Sequence, residues 1–448
     1  MTLPTTAVVG AGPSGLALAR AFKADGLPVE VFERHSDIGG LWDPDNEGSP
    51  IYASAHFISS KTKSAFPDFP MPDDYPDYPS HRQILDYLRS FADRYDLRGV
   101  ITTDCGVESA EWTGSQWHLT LQNGEARVFD HLVCANGTQW KPAWPDIPGT
   151  FAGDLSHSVE HWSSERFRGK RVLVIGAGNS GVDIACDAAQ TADHAVLSMR
   201  RGYHVVPKHI FGQPVDVFAS AGPELPTKIS QFVFGHMLRL LNGDPTRLGL
   251  PKPDHKLFET HPIVNTEILH HLSHGDLAIA RDVERFDGNT VHFTDGSSDD
   301  FDLVICATGY DTVVPYLDAS HFEWRHNRPQ MYLHAFHRTN PHLHALGFTE
   351  GDGGGYLVFD NTAVAIAGLV RMLHEKPGRR DEWLRLTQTD DVDMRGGVKH
   401  IDTPRHANYL HLNDYVMHLK KLSERFGWAS ADPARYRRLR AVEAGSVE

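Results

Sequence analysis

Apolar and polar positions follow the same order in two stretches of the chain. In each stretch, a short apolar run leads into a glycine-rich turn, and the turn leads into a segment with helical spacing. The apolar runs occupy residues 7–9 and 172–175, and the turns read GAGPSG at residues 10–15 and GAGNSG at residues 176–181. A buried strand that turns on glycines into a helix presents backbone N–H groups to a pyrophosphate. The pattern therefore predicts two dinucleotide sites.

Each turn is followed by a similar series of elements. Residues 100–135 alternate between apolar and polar positions, which predicts a β-meander ending in a buried strand. Residues 278–300 repeat that pattern and lead into the apolar run 303–307. The repeat predicts an α/β fold with two Rossmann-like dinucleotide-binding domains, the second inserted into the first. The expected boundaries are residues 1–160 for the first part of the first domain, 165–303 for the inserted domain, and 304–448 for the rest of the first domain with C-terminal helices, with 142–148 as a crossing linker.

The strand that follows each turn ends in a different charge. Glu33 follows residues 29–32, whereas Arg200 and Arg201 follow residues 195–199. A carboxylate at this place accepts hydrogen bonds from the two hydroxyls of an adenosine ribose and repels a 2′-phosphate, which a guanidinium binds with two hydrogen bonds. The first site is therefore expected to hold a ribose with free hydroxyls, as in FAD or NAD, and the second to hold NADP, with NADH tolerated. The alternative is that the two arginines form a solvated strand end.

Composition and charge disfavour several classes of partner. A chain of 448 residues with 40% hydrophobic content is typical of a globular protein of two or three domains. The net charge of −15 disfavours nucleic acid and anionic membranes, and no apolar run in the sequence approaches the roughly 18 residues of a membrane span. The first strand begins close to Met1 and the C-terminal residues are charged, so neither a signal peptide nor a tail anchor is expected. The cysteines have no metal or redox spacing, which predicts reduced thiols, no metal and a cytoplasmic protein: Cys105, Cys134, Cys186 and Cys306.

Longer motifs resemble those of the class B flavin-containing monooxygenases, a family of flavoproteins with two dinucleotide-binding domains. Residues 151–158 (FAGDLSHS) match that family's identifying motif FxGxxxHS. Residues 39–42 (GGLW) and segments within 52–70 are similar to its flavin-side segments. Residues 200–202 (RRG) and 307–310 (ATGY) are similar to its nicotinamide half. The chain resembles in particular a bacterial subgroup related to Baeyer–Villiger monooxygenases.

The resemblance implies a set of contacts and a mechanism. The implied FAD contacts are Gly10, Gly12, Gly15, Glu33, Arg34, Leu41 and Trp42. The implied NADP contacts are Gly176, Gly178, Ser180, Gly181, Arg200 and Arg201. Thr308 and Gly309 are expected at the turn where the chain returns to the flavin domain. By the family's mechanism, NADPH reduces FAD, and the reduced flavin captures O2 as a flavin hydroperoxide that oxygenates a small molecule.

Two positions depart from the family's pattern. Ile58 stands where members that oxygenate amines and sulfides have an asparagine, and an isoleucine makes no hydrogen bond at the flavin–nicotinamide junction. His161 stands where the pattern has an aromatic residue, unless a one-residue shift lets Trp162 fill that place. A bacterial subgroup with a histidine there often accepts NADH and includes candidate ketone oxygenases. We therefore expect Ile58 and His161 together to move this chain away from the amine-oxygenating pattern.

The candidate catalytic residues are His157 and His161. His157 could act as a general acid–base, although support of the interdomain linker is the more common role for such a motif histidine. A glycine-rich run at residues 351–355 brings backbone amides near the flavin or forms a flexible turn. Residues 232–241 have apolar side chains at helical spacing and are expected in the core or the wall of a substrate channel, not in a membrane patch.

The predicted function is FAD-dependent, NADPH-using oxygenation of nitrogen or sulfur in a small molecule, with O2 as co-substrate. Baeyer–Villiger oxygenation of ketones, a flavin NAD(P)H oxidase that does not oxygenate, and a nucleotide-sensing module are the alternatives. A disulfide reductase is nearly excluded, because no cysteine precedes Cys105 and such an enzyme needs a redox pair near its flavin. The oligomeric state is open, a homodimer included.

Overall fold

Strands and helices alternate through two halves of the chain in a computed structural model that describes residues 2–222, 226–401, 403 and 406–440. The first stretch contains β1 (Thr6–Val9), α1 (Pro13–Ala24), β2 (Val29–Phe32), α2 (Lys61–Ser64), α3 (His81–Arg94), β3 (Ile101–Thr102), β4 (Val107–Trp112), β5 (Trp117–Leu121), β6 (Ala126–Phe129), β7 (His131–Cys134), β8 (Lys141–Pro142), β9 (Gly149–Phe151) and β10 (Asp154–His157). The middle contains β11 (Arg171–Ile175), α4 (Asn179–Thr191), β12 (His194–Ser198), β13 (His209–Ile210), β14 (Gln213–Pro214), α5 (Val215–Ser220), α6 (Thr227–Asn242), α7 (Glu267–His274), β15 (Ala278–Ala280), β16 (Val283–Gly288), β17 (Thr290–Phe293), β18 (Ser298–Asp300) and β19 (Leu303–Cys306). The last stretch contains β20 (Tyr310–Asp311), β21 (Trp324–Arg325), β22 (Arg328–Pro329), β23 (Leu343–Ala345), β24 (Glu350–Gly351), α8 (Gly355–Glu375), α9 (Arg380–Thr389), β25 (Tyr409–Leu410), α10 (Leu412–Phe426) and α11 (Arg437–Arg440).

The chain before and after the inserted strands forms one half, called the flavin half because the sequence predicts that it holds FAD. It is built on a five-stranded sheet of order β23–β7–β1–β2–β3. All of its pairings are parallel. Strands β1 and β7 are buried along their whole length, as expected of central strands covered on both faces. Helices α1 and α8 pack against each other, and the meander β4–β5–β6 forms a separate antiparallel sheet. The carboxyl ends of β1 and β7 meet at one edge of the sheet, where open α/β sheets bind ligands.

The second half, called the inserted half, repeats this plan with a parallel sheet of order β10–β19–β11–β12–β15. Strands β11 and β19 occupy the places that β1 and β7 occupy in the flavin half. A second sheet, of order β18–β17–β16–β9, lies beside it. The predicted fold class, two Rossmann-like domains with the second inserted into the first, is confirmed.

Two short strands that precede residue 165, the predicted start of the inserted half, pair with strands of that half. Strand β9 pairs with β16, and β10 pairs with β19, so residues 149–157 hydrogen-bond to strands of the inserted half. Its last parallel strand, β19, extends to Cys306, beyond the expected end at residue 303. The crossing segments lie side by side, because β8 on the outward path pairs antiparallel with β20 on the return path.

Helix α8 is long and apolar enough to cross a membrane by length and composition, and it is the one such helix in the described part of the chain. The window that meets this test is 78% buried, and the helix packs against α1 and α10. Its Asp360 accepts a hydrogen bond from Arg20 at 2.7 Å. These contacts are typical of a core helix. The prediction that no apolar run approaches the length of a membrane span is wrong, because α8 has that length and composition.

Helix α6 contains residues 232–241, which are expected in the core or in the wall of a substrate channel, and only part of their apolar face is buried. Leu238 is buried at 7% exposure, whereas Phe232 is 65% exposed and Leu241 is 44% exposed. Helical spacing of apolar residues identifies the face that they share, but not whether other elements cover it. In this protein much of that face is exposed.

Candidate functional site

The first glycine turn leaves no room for a side chain at two of its positions. Gly10 has a φ of +105°, and a Cβ there would lie 2.6 Å from the carbonyl oxygen of Ala135. A Cβ on Gly15 would overlap the carbonyl oxygen of Gly10. Glycine is therefore required for β1, the turn and α1 to approach this closely. Helix α1 begins at Pro13, so its N-terminus faces the cradle as a pyrophosphate site requires.

The GGLW segment at residues 39–42 packs against the first glycine turn. Gly40 has a φ of +59°, and a Cβ there would lie 2.9 Å from the Cα of Gly12. This contact brings Leu41 and Trp42 beside the first cradle, in the short 3-10 helix Gly40–Trp42. The Trp42 ring packs edge-on against Phe57, with centroids 4.8 Å apart. The position fits the implied FAD contacts of Leu41 and Trp42.

The carboxylate expected to bind a ribose lies at the mouth of the first turn. Glu33 is 5% exposed, and its Oε2 accepts a hydrogen bond from the backbone N–H of Ala11 at 2.6 Å. Its Oε1 accepts a second hydrogen bond from the N–H of His35 at 3.0 Å. These backbone donors fix the carboxylate, which has further lone pairs for ribose hydroxyls.

Arg34 lies beside the first cradle, next to an aromatic residue that the sequence analysis does not identify. Its guanidinium donates to the carbonyl oxygen of Glu47 at 2.8 Å and lies 4.5 Å from the centroid of the Trp140 ring. The Trp140 Nε1 donates to the carbonyl oxygen of Asn136 at 2.5 Å. Trp140 lies in the irregular segment after β7, where no periodicity marks it. Its position could be found only from the structure.

The second glycine turn reproduces the first in detail. Gly176 has a φ of +106°, and a Cβ there would lie 2.6 Å from the carbonyl oxygen of Ala307. A Cβ on Gly181 would overlap the carbonyl oxygen of Gly176. Gly178 is the N-cap of α4, and Ser180 lies in the first turn of that helix. The inserted half therefore holds a second dinucleotide cradle of the same construction.

Arg200 and Arg201 follow β12 after one intervening residue, Met199, at the carboxyl end of the second parallel sheet. Arg200 is exposed and Arg201 is half-buried, and neither has an ion-pair partner among the residues that the structure describes. The next residue, Gly202, is packed so tightly that a Cβ would overlap the carbonyl oxygen of Pro251. The turn is therefore held in place while both guanidinium groups remain available, which fits recognition of a 2′-phosphate.

His157 is fully buried at the end of β10, where the strand pairs with Cys306. Its Nδ1 accepts a hydrogen bond from the N–H of Val159 at 3.3 Å, and its ring lies 5.2 Å from that of Tyr310. Burial lowers the pKa of His157, so the imidazole is neutral at pH 7. These contacts place it against the crossing segments and favour linker support over acid–base chemistry.

Thr308 and Gly309 lie in the returning segment between β19 and β20. The Thr308 hydroxyl donates to the carbonyl oxygen of Ala143 at 2.6 Å, and the Ala143 N–H donates to the carbonyl oxygen of Gly309 at 2.9 Å. Gly309 has a φ of +87°, in the left-handed region that favours glycine. Both residues thus join the outward and return crossings, at the expected turn.

His161, not Trp162, occupies the interior place after the FxGxxxHS motif. His161 is 1% exposed, and its ring stacks on Phe167 with centroids 4.9 Å apart and an interplanar angle of 3°. Trp162 is 44% exposed and contacts His81 edge-on at 5.8 Å. The one-residue shift is therefore not what the structure shows. His161 Nε2 also lies 3.6 Å from a carboxylate oxygen of Asp187 on α4.

Ile58 lies where the flavin half meets the inserted half. It is 37% exposed and follows Phe57, which is 8% exposed. Two residues later, the N–H of Ser60 donates to Oδ2 of Asp216 on α5 at 2.6 Å. An asparagine at position 58 would bring an amide to this junction, whereas the isoleucine brings only methyl groups.

The glycine-rich run before α8 is packed against the flavin half. Gly354 is buried, and a Cβ there would overlap the carbonyl oxygen of Lys63. Gly351 lies in β24, which pairs with β25. The run is therefore a close backbone contact with the segment that carries α2.

The cysteines are unsuited to nucleophilic or redox chemistry. All four are buried and free. Burial raises the pKa of Cys134 and of Cys306 to about 12, which leaves both thiols protonated at neutral pH. The geometry supports a protein whose chemistry comes from bound dinucleotides.

Comparison with known proteins agrees with this geometry. A family model described as flavin-binding monooxygenase-like matches residues 4–419. Flavin-containing monooxygenase 5 of Oryctolagus cuniculus is 30% identical over 452 residues, which cover 94% of this chain and 82% of that protein. Two solved structures share the fold at 19% identity: S-allyl-L-cysteine S-oxygenase from Allium sativum, with a TM-score of 0.65 over 99% of this chain and 94% of that one, and an oxidised steroid monooxygenase bound to NADP, with a TM-score of 0.71 over 95% and 98%.

Both cradles have a shape that excludes side chains and leaves helix N-termini facing a ligand, so the residues present fit FAD and a nicotinamide dinucleotide. The family match extends through both halves and their crossing segments. This chain is an oxygenating oxidoreductase and belongs to the flavin-binding monooxygenase-like family.

Proposed function

We propose that this protein is an FAD-dependent monooxygenase that takes electrons from NADPH and oxygenates a nitrogen or sulfur atom of a small organic molecule. The observation that carries the proposal is a contrast between two otherwise matched cradles. Buried Glu33 stands at the end of β2, whereas exposed Arg200 and half-buried Arg201 follow β12. A carboxylate selects free ribose hydroxyls and guanidinium groups select a phosphate, so the first cradle suits FAD and the second suits NADP.

The residues of this chain bind, orient and shield the two cofactors. Glu33 would accept hydrogen bonds from the ribose of FAD, and Arg200 and Arg201 would hold the 2′-phosphate of NADPH. FAD, when bound, supplies the transfer of electrons from the nicotinamide to O2. The rings of Trp42, Phe57 and Tyr356 form an apolar row beside the first cradle, with successive centroids 4.8 and 5.9 Å apart, and we expect this row to exclude water there. Exclusion of water favours oxygenation over loss of the reduced oxygen as hydrogen peroxide.

Heteroatom oxygenation is the first candidate for the reaction. Of the neighbours in fold, one is named as an S-oxygenase. Baeyer–Villiger insertion into ketones is the second candidate, and it is favoured by Ile58 at the junction of the halves and by the interior place of His161. NADH is expected to serve as a weaker donor, and all four buried free cysteines agree with the proposed reducing cytoplasmic location.

A screen of NADPH consumption separates these activities. Purified protein loaded with FAD is supplied with a sulfide, a tertiary amine or a cyclic ketone, and the added oxygen atom is detected by mass while peroxide is measured in parallel. The proposal expects a sulfoxide or N-oxide with little peroxide. Lactones or esters alone would establish the ketone reaction instead. Peroxide equal to the NADPH consumed with every substrate class would identify an oxidase and reject oxygenation of these classes.

A further inference from the structure

A short segment of the flavin half, residues 52–54, lies directly against the dinucleotide helix α4 of the inserted half. The Tyr52 hydroxyl donates to Oδ2 of Asp183 at 2.8 Å. The Ser54 hydroxyl donates to Oδ2 of Asp187 at 2.7 Å. Between them, the N–H of Ala53 donates to the carbonyl oxygen of Trp162, in the segment that crosses into the inserted half, at 2.8 Å. Three consecutive residues therefore bind the inserted half.

The two acceptors share one face of α4. Asp183 and Asp187 are four residues apart, so their side chains lie one above the other, one helical turn apart. The donors Tyr52 and Ser54 lie in a turn that is closed by a hydrogen bond from the N–H of Ala55 to the carbonyl oxygen of Tyr52 at 2.9 Å. This turn brings both hydroxyls to the same face of α4, because each binds one of the two carboxylates. We call this set of four residues the α4 clamp.

The Tyr52 side of the clamp is buried and fully hydrogen-bonded. Tyr52 is 6% exposed, and the amide of Asn265, which is also 6% exposed, donates to Oδ1 of Asp183 at 2.7 Å. Burial raises the pKa of Tyr52, so its hydroxyl keeps the proton that it donates. Burial also raises the pKa of Asp183, while the two hydrogen bonds that it accepts oppose that shift. Removal of either donor takes a hydrogen bond from a buried carboxylate, which costs more than the loss of an exposed hydrogen bond.

The Ser54 side of the clamp encloses His161. The imidazole lies between the Phe167 ring, on which it stacks, and the Asp187 carboxylate, whose Oδ2 is 3.6 Å from Nε2. The Tyr52 ring lies 6.0 Å away from the imidazole. His161 therefore fills the space between the clamp and the segment that follows β10, which gives this departure from the family pattern a place in the contact between the halves.

We propose that Tyr52 and Ser54 are positioning residues that fix α4, and with it the nucleotide cradle at its N-terminus, against the flavin half. The inference rests on the proposed binding of NADP in the second cradle. On α4, the clamp begins at Asp183, about one helical turn from the N-terminus that faces the second cradle. On the flavin half, the chain continues from Ser54 to Phe57 and Ile58, beside the first cradle. Because NADP must contact both halves to deliver electrons to FAD, a nucleotide that binds prearranged halves does not bear the cost of ordering them.

The test uses FAD-loaded full-length protein and NADP+ as the probe. Calorimetry measures the dissociation constant of NADP+ for wild type, Tyr52→Phe and Ser54→Ala, and hydrogen exchange measures protection of residues 52–58 and of α4. We expect binding about two- to tenfold weaker in Tyr52→Phe, a smaller change in Ser54→Ala because Ser54 is exposed, and faster exchange in both segments. A double-mutant cycle of Tyr52→Phe with Asp183→Asn should show a combined loss smaller than the sum of the single losses.

Tyr415→Phe is the matched control. Its hydroxyl is also buried and hydrogen-bonded, to the hydroxyl of Thr362 at 2.8 Å and to the carbonyl oxygen of Leu333 at 3.2 Å, but all three residues belong to the flavin half. It should lower the melting temperature without changing NADP+ affinity. Equal NADP+ affinity in wild type and Tyr52→Phe, with unchanged exchange in α4, would reject the clamp. Wild-type protein that binds no NADP+ would reject the proposed function instead. Ser54→Ala, at an exposed position, keeps the test decisive if Tyr52→Phe folds poorly.

Discussion

Removal of the guanidinium groups of Arg200 and Arg201 tests how the inserted half selects its nucleotide. Both residues lie at the end of β12 without an ion-pair partner in the described part of the chain, so their replacement by alanine breaks no ion pair of the folded protein. Gly202 holds the turn by close packing against Pro251, and that contact remains in the variant. The substitution should therefore change nucleotide recognition with little effect on the fold.

The expected loss follows from the chemistry of the phosphate contact. A hydrogen bond between charged groups is worth about 1.5–3 kcal/mol, which corresponds to roughly ten- to a hundredfold in affinity. Because Arg200 is exposed, we expect the lower part of that range for each guanidinium. NADH has no 2′-phosphate, so its binding should hardly change.

Steady-state kinetics with both donors give the answer. The double variant Arg200→Ala/Arg201→Ala should raise KM for NADPH at least tenfold more than KM for NADH, because loss of a phosphate contact of about 1.5 kcal/mol alone weakens binding by roughly tenfold. Arg200→Lys/Arg201→Lys should restore part of the preference, because lysine keeps the charge but not the paired donors. The control Arg285→Ala removes another arginine of the inserted half, which pairs with Asp287 at 3.2 Å. Equal effects on both donors would refute the phosphate assignment and favour a solvated strand end.

Three further predictions concern the cradles, the junction and the buried histidines. Gly15→Ala should give protein without bound flavin, whereas Gly181→Ala should stay yellow but no longer be reduced by NADPH, because each new Cβ overlaps a carbonyl oxygen of its own turn. Absorbance at the flavin band and anaerobic reduction by NADPH measure these two properties. Identical behaviour of the two variants would contradict separate sites. Ile58→Asn should change the ratio of oxygenated product to hydrogen peroxide, and an unchanged ratio and substrate range would remove any role for this departure from the family pattern. Burial lowers the pKa of His344 from 6.5 to about 3. Below pH 6.5 the unfolded chain therefore binds a proton at this residue that the folded chain does not. The free energy of unfolding should fall by about 1.4 kcal/mol for each unit by which the pH is lowered. Unfolding of His344→Gln between pH 6.5 and pH 5 should show a shallower decline than wild type, and parallel curves would exclude this histidine as the cause.

The parts of the site that depend on local sequence could be predicted, and the glycine turns are the clearest example. Gly10 and Gly15 are needed by a strand–turn–helix unit whose requirements lie within a few residues, so the pattern identifies them directly. The same holds for Gly176 and Gly181. The alternation of elements likewise predicts the fold class, because short apolar strands followed by helices form parallel sheets.

The parts that depend on contacts between distant residues could not be predicted. The hydrogen bond from Tyr52 to Asp183 joins the two halves, and neither residue has a local pattern that marks the other. The pairing of residues 149–157 could not be predicted, because they form edge strands whose partners, β16 and β19, follow much later in the chain. The exposure of Phe232 could not be predicted, because apolar spacing does not show what covers a helix face.

The most direct test of the central claim is an anaerobic titration of the purified, FAD-supplemented protein with NADPH. The account predicts a yellow protein whose flavin absorbance is bleached by NADPH and returns when air is admitted, at a lower NADPH concentration than the NADH concentration needed for the same effect. A protein that stays colourless with added FAD, or a yellow protein whose absorbance persists under excess NADPH without oxygen, would contradict the assignment of the two cradles.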